Sequence, residues 1–108
     1  MAGRLTAGLL VSALIRRTES AGGNAMVLAR GDATAGALLI QCADRGVPGP
    51  LLERTLDPKG RYAWTPTGPD DVAARADYVA RRRRSDPDLW VVEIDAADAA
   101  AIVAEVAG

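Results

Sequence analysis

Four short apolar runs between residues 24 and 66, each closed by a turn, constrain this chain more than any other feature. They are NAMVLAR (24–30), GALLIQCA (36–43), LLERTL (51–56) and RYAWTP (61–66). Gly31-Asp32 follows the first, and ADRGVPGP breaks the chain after the second. Asp57-Pro58-Lys59-Gly60 separates the last two: proline presets φ at the second turn position, and glycine accepts the positive φ that closes it. Alternation puts Leu38, Ile40 and Cys42 on one face of the second run, Leu52 and Leu56 on one side of the third, and Tyr62 with Trp64 on one side of the fourth. Short strands with tight connections predict an antiparallel β-meander.

Helical patterns flank the meander. From about Gly8 to Ala21 a narrow polar stripe (Gly8, Ser12, Arg16, Glu19) leaves a wide apolar surface, so this helix is expected to be covered on more than one side. Gly22-Gly23 stops it, because glycine tolerates the left-handed conformation that ends helices. A second helix begins near Pro69-Asp70-Asp71, where proline and acids suit a first turn, and ends before Pro87. Its apolar face reads as Val72, Ala76, Val79 and Ala80. LWVVEID (89–95) is apolar on both faces at its start, as in an interior strand. Asp95 is placed to cap a last helix over 96–107 that packs through Ile102, Val103 and Val106. The fold class is α+β: four to five short antiparallel strands, an N-terminal helix, a second helix near 69–85 and a short C-terminal helix, in one domain over residues 1–108.

Composition removes several functions. Thirteen basic against fourteen acidic residues give a net charge of −1, whereas nucleic-acid binders usually carry an excess of positive charge. There is no His, and Cys42 is the only cysteine. No intrachain disulfide and no cysteine-based zinc site is possible, and no metal or cofactor is expected. Arg4 followed by an apolar run from Leu5 to Ile15 imitates a secretory leader, but Arg16 and Arg17 come where a small-residue cleavage site belongs. The run is also too short to span a bilayer. It reads as a buried helix, without membrane attachment, in a cytoplasmic protein.

The most conspicuous charged feature is Arg81-Arg82-Arg83-Arg84. Successive helical residues are 100° apart, so four neighbours cannot share one face; Arg81 and Arg84 fall together, and Arg82 and Arg83 point elsewhere. Cations at a helix C-terminus offset the helix dipole. Asp77 with Arg81, and Asp71 with Arg75, have pairing spacing, and Asp86, Asp88 and Glu93 are near in sequence. Internal charge pairing is therefore the preferred reading. Anion or nucleic-acid contact through Arg16, Arg17, Arg81, Arg82 and Arg84 is the alternative. RGDATAGALL (30–39) has the glycine gap of a phosphate loop but no following Lys and Ser/Thr, so it reads as a hairpin turn. Its Arg-Gly-Asp tripeptide copies an adhesion motif of a kind that arises by chance. Cys42 on an apolar strand face lacks a base to activate it and reads as a small hydrophobe. Asp86, Asp88, Glu93 and Asp95 lack recognisable cation-ligand spacing. Trp64, Tyr62 and Trp90 read as core aromatics in a chain without Phe rather than as base-stacking platforms.

The segments LLVSALIRR, VLARGDATAGALLI, RYAWTPTG and DYVARRRRSDPDLWVVEID together resemble the bacterial family catalogued as domain of unknown function 1491. The resemblance runs from about Leu5 to Asp95, and RGD…AGA and R…DPDLWVVEI are its most specific parts. It implies a small bacterial cytoplasmic protein with one compact domain. The family carries no assigned activity, substrate or cofactor, so no functional residue transfers. This chain departs from the family in having Leu9, Leu10 and Val11 where aromatics are usual, and the alanine-rich tail beyond Asp95 belongs to a variable part.

The leading functional reading is a non-enzymatic interaction domain that forms a homodimer, since a meander leaves edge strands whose backbone groups need partners. Nucleic-acid or anionic-ligand binding is second, and an enzyme with a carboxylate-based site third.

Overall fold

The computed structural model describes residues 5–108; Arg4, the head of the leader-like pattern, lies outside them. The elements are α1 (Ala7–Ser20), β1 (Asn24–Ala29), β2 (Leu38–Asp44), β3 (Val47–Leu56), β4 (Tyr62–Pro66), α2 (Arg75–Ser85), β5 (Trp90–Asp95) and α3 (Ala99–Ala107). A single 3-10 turn, Val72–Ala74, leads into α2. The strands form a five-stranded sheet in the order β1-β5-β2-β3-β4. Pairing is antiparallel except between β2 and β5, which run parallel. The α+β class therefore holds, with β2-β3-β4 as the meander proper.

The strand order follows from β5. Trp90, Val91, Val92 and Ile94 are all buried, so this strand needs neighbours on both edges and cover on both faces. It takes β1 on one edge and β2 on the other. The expected hairpin over residues 30–39 is corrected accordingly, because β1 and β2 lie on opposite sides of β5 and do not pair. The intervening segment crosses the end of β5 instead. Asp32 accepts from the Thr34 and Ala35 amides, and the Asp32 carbonyl accepts from Trp90 Nε1 at 2.8 Å. A Cβ at Gly31 or Gly36 would stand 2.1 or 2.3 Å from the Asp88 carbonyl oxygen. The phosphate-loop-like glycine spacing is thus a demand of close backbone approach.

One face of the sheet carries Leu38, Ile40, Cys42, Leu52, Trp90, Val92 and Ile94, covered by α1 and α3. α1 buries Leu10, Val11 and Leu14, while Leu9 remains 58% exposed, so its apolar surface is covered less widely than its sequence suggests. Gly22 at φ +87° ends α1 as expected. The other face carries a smaller cluster of Leu39, Leu51, Leu89 and Val91, against which Tyr78 and Val79 of α2 pack. No residue of α2 is fully buried, and Val72, Ala76 and Ala80 are exposed, so the expected apolar face of this helix is corrected. β3 runs through Pro48 and Pro50, where the sequence suggested a break. The ladder with β2 shifts register between Gln41 and Ala43, opposite Leu51 and Pro48, so the prolines fall at an irregularity of the kind that tolerates them, and β4 pairs only with Leu52–Leu56.

Two local expectations about turns have different outcomes. Asp57 Oδ1 accepts from Lys59 and Arg61 amides at 2.9 Å, and Gly60 takes φ +81°, as that turn requires. Asp95, in contrast, does not cap α3. Its two carboxylate oxygens accept from the Arg45 and Gly46 amides at 2.7 and 2.9 Å. Arg45 and Gly46 have φ +52° and +79°, so their N–H groups converge at the β2–β3 turn, and Asp95 occupies that concavity. α3 starts later, with Asp98 at its cap position and no side-chain capping bond.

Candidate functional site

The four-arginine run divides as helical geometry dictates. Arg82 points at the sheet and grips Glu53 of β3 with both guanidinium nitrogens, at 2.9 and 2.6 Å. Arg82 also donates to the Tyr78 hydroxyl at 2.8 Å, which in turn meets Thr67 Oγ1 at 3.1 Å. The hydrogen bond to Glu53 raises the Arg82 pKa, outweighing the burial that would lower it. Arg83 turns toward the end of α2 and donates to the carbonyls of Arg30, Pro87 and Leu89 at 3.1, 2.7 and 2.7 Å. Arg81 and Arg84 are exposed and make no hydrogen bond or ion pair among the described residues.

The acids that neutralise the run are not the sequence neighbours. Asp77, Asp86, Asp88 and Glu93 form no ion pair with it among the described residues, and Asp86 instead accepts from the Asp88 amide. The partner of Arg82 is Glu53, 29 residues away, and carbonyl oxygens serve Arg83. Asp71 caps the 3-10 turn rather than pairing with Arg75. Arg75 donates to the carbonyls of Pro69 and Gly49, at 3.1 and 2.6 Å. Three arginines thus tie α2 to the rest of the fold where apolar contact is sparse.

Arg16 and Arg17 lie on α1, across the sheet from α2, so the five arginines proposed as an anion surface are not brought together. Arg17 pairs with Glu105 of α3, which raises the Arg17 pKa and lowers that of Glu105, in each case chiefly through their hydrogen bond. Arg16 is exposed and unpaired among the described residues. No group of three or more His, Cys, Asp or Glu side chains is placed to hold a metal ion among them. Cys42 is 3% exposed, and burial pushes its thiol up to about 11, which leaves it a poor nucleophile at neutral pH. Trp90 belongs to the core, whereas Tyr62 is 39% exposed and Trp64 half-buried.

The two sheet edges differ. β4 ends in Pro66, and Arg54 of β3 stacks over its Tyr62 and Trp64 rings at 4.8 and 5.8 Å. β1, with the sequence NAMVLA, has neither a charge nor a proline. Its Ala25 and Val27 pack beneath α1, while Met26 and Leu28 are 59% and 52% exposed. Sequence reasoning placed β1 at the start of the meander beside β2; the structure keeps it at an edge of the sheet but gives it β5 as its neighbour.

A family model described as "Protein of unknown function (DUF1491)" matches residues 5–104. The match continues past Asp95 into α3, so the alanine-rich tail is part of the shared fold. A crystal structure of a DUF1491 family protein from Caulobacter crescentus CB15 superposes with a TM-score of 0.80 at 36% identity, covering 92% of this chain and 94% of that one. An NMR structure of a DUF1491 family protein from the same organism gives 0.74 at 38% identity, with coverages of 90% and 91%. A solution structure of a protein from A. tumefaciens gives 0.65 at 32%, covering 89% of each chain. No curated protein matches the chain. The chain belongs to the DUF1491 family, whose function is unknown.

Proposed function

We propose that this DUF1491 chain is a non-enzymatic interaction module of the cytoplasm that self-associates through the open edge of β1. The observation that carries the reading is the contrast between its two edges. β4 is short, ends in proline and is flanked by stacked and charged side chains, devices that discourage strand addition. β1 has neither a proline nor a charged residue, and it exposes Met26 and Leu28 beside its open backbone edge, with one register shift against β5 between Val27 and Ala29. A second copy is the natural occupant because the strand is self-complementary. With Val27 on a two-fold axis, antiparallel pairing sets Met26 against Leu28 of the second copy, and the register shift between Val27 and Ala29 keeps the new ladder short. No helix among the described residues is long and apolar enough to cross a membrane.

Six residues of strand cover less than the roughly 800 Å² per partner of a standard stable interface, so the dimer is weak and concentration-dependent. Sedimentation equilibrium should show a monomer–dimer exchange that Leu28→Lys abolishes, since a lysine on an edge opposes strand addition. A strict monomer at high concentration, or a variant that dimerises like the parent, refutes the reading. Polyanion binding is the second reading, supported by Arg81 and Arg84 alone, since Arg82 and Arg83 are engaged internally. Two guanidiniums imply weak, salt-sensitive contact. The carboxylate-enzyme reading draws no support from Asp86, Asp88 and Glu93, which form no acidic cluster of the kind it requires.

A further inference from the structure

We propose that the cavity between the start of α1, the 34–38 segment and the β3–β4 hairpin is a binding site for a small apolar or aromatic carboxylate, with Arg54 as its counter-charge. The cavity measures about 520 Å³, within the range of small-molecule sites. Its walls are largely apolar, with Leu5, Leu10, Leu38 and the Tyr62 and Trp64 rings among them. A planar hydrocarbon body has both room and contact there.

The sign of the ligand follows from the charges at the wall. Glu53 lines the cavity, but its carboxylate faces the opposite side of the sheet, where Arg82 holds it. Arg54 is the remaining charged side chain among the described residues of the wall. It spends one nitrogen on the Ala107 carbonyl at 2.9 Å and makes no ion pair among the described residues. The two aromatic rings under it hold the guanidinium in place, so little order is lost when a carboxylate is taken up. A guanidinium fork matches a carboxylate with two parallel hydrogen bonds.

A second observation points to the same wall. Trp64 Nε1 is the one buried side-chain nitrogen or oxygen without a hydrogen-bond partner among the described residues. Buried donors are normally satisfied, so this one leaves an unmet hydrogen bond in a ring that lines the cavity. The start of α1 does not compete for the anion, because its amides are occupied. Ala7 and Gly8 donate to the Thr34 and Ala33 carbonyls, and Leu9 to Thr6 Oγ1. Those same bonds fix the cavity rim, so the site is preformed. It lies at the β4 side of the sheet, away from β1, and does not depend on self-association.

The test uses the ¹⁵N-labelled full chain titrated with 2-naphthoate and, separately, with uncharged 2-naphthamide. The chain has two tryptophans, so two indole N–H signals report. Naphthoate should shift the Trp64 signal saturably while Trp90, in the core, moves little. Arg54→Gln should weaken naphthoate on the order of tenfold or more and leave naphthamide unchanged. Arg54→Lys, which keeps the charge but loses the two-bond fork, should weaken naphthoate less than Arg54→Gln does and leave naphthamide unchanged, and it carries the test if Arg54→Gln does not fold. Absence of a saturable Trp64 shift, equal affinity for acid and amide, or naphthoate binding that neither substitution weakens overturns the proposal.

Discussion

Replacing Glu53 by alanine should cost this fold far more than replacing any exposed arginine of the run. The Arg82–Glu53 side chains are 28% and 24% exposed and share two hydrogen bonds at 2.9 and 2.6 Å. Solvent-exposed ion pairs yield about 0.2–1 kcal/mol. Hydrogen bonds to charged groups yield about 1.5–3 kcal/mol, before the cost of drawing both groups partly out of water. The position between those limits gives a coupling of about 1–2 kcal/mol in a double-mutant cycle of Glu53→Ala and Arg82→Ala. Each single substitution should cost about 2 kcal/mol, because it strands a half-buried charge, and should lower Tm by about 10 °C. Arg82 loses less than a full desolvation penalty in Glu53→Ala, since Tyr78 remains an acceptor.

Urea denaturation at neutral pH, in low salt and in molar salt, measures the cycle. The coupling should persist in high salt, because the pair is hydrogen-bonded and largely shielded. Arg81→Ala and Arg84→Ala serve as controls and should each stay within about 0.5 kcal/mol of the parent. A coupling near zero, or an Arg81 cost equal to that of Arg82, would falsify the division of the run into anchoring and solvated members.

Two further perturbations test the fold. Asp95→Ala removes both carboxylate bonds to the Arg45–Gly46 turn and should cost about 1–3 kcal/mol in urea, with Asp95→Asn losing less because one acceptor remains; equal stability of all three proteins would contradict the assigned role. Cys42 titrates near 9.0 when unfolded and about 11 when folded, so its contribution is intact below pH 9 and is lost as pH rises from 9 toward 11; the stability–pH curve of Cys42→Ala should lack that extra alkaline fall, and parallel curves would refute it.

What the sequence made legible was local. Alternation assigned Leu38, Ile40 and Cys42 to one face, and the Asp57–Gly60 turn declared its own geometry through Pro58 and Gly60. Period two says which face a residue occupies, but it does not say which strand lies alongside. The insertion of β5 between β1 and β2 was therefore hidden, although β1 is an outer strand in either order. Asp95 shows the same limit at one residue. Sequence proximity favours the helix that follows it, yet two convergent amides 49 and 50 residues away offer a better-matched anion site. The Arg54 cavity drew together α1, the 34–38 segment and the β3–β4 hairpin, which no local pattern connects.

The arginine run shows how a local rule and a distant partner combine. The 100° step of a helix already separates Arg81 and Arg84 from Arg82 and Arg83. It does not say which pair faces inward. That is decided by acceptors: Glu53 on β3, and the carbonyls left free where the chain turns from α2 into β5. α2 has little apolar surface to bury, so guanidinium forks, each able to serve several oxygens at once, attach it in place of leucines. Charge spent in this way is unavailable to a polyanion. Once Arg82 and Arg83 are subtracted, the run presents two guanidiniums on a chain with net charge −1, which is why the uncharged β1 edge is the stronger basis for a functional reading than the most conspicuous cluster of charge.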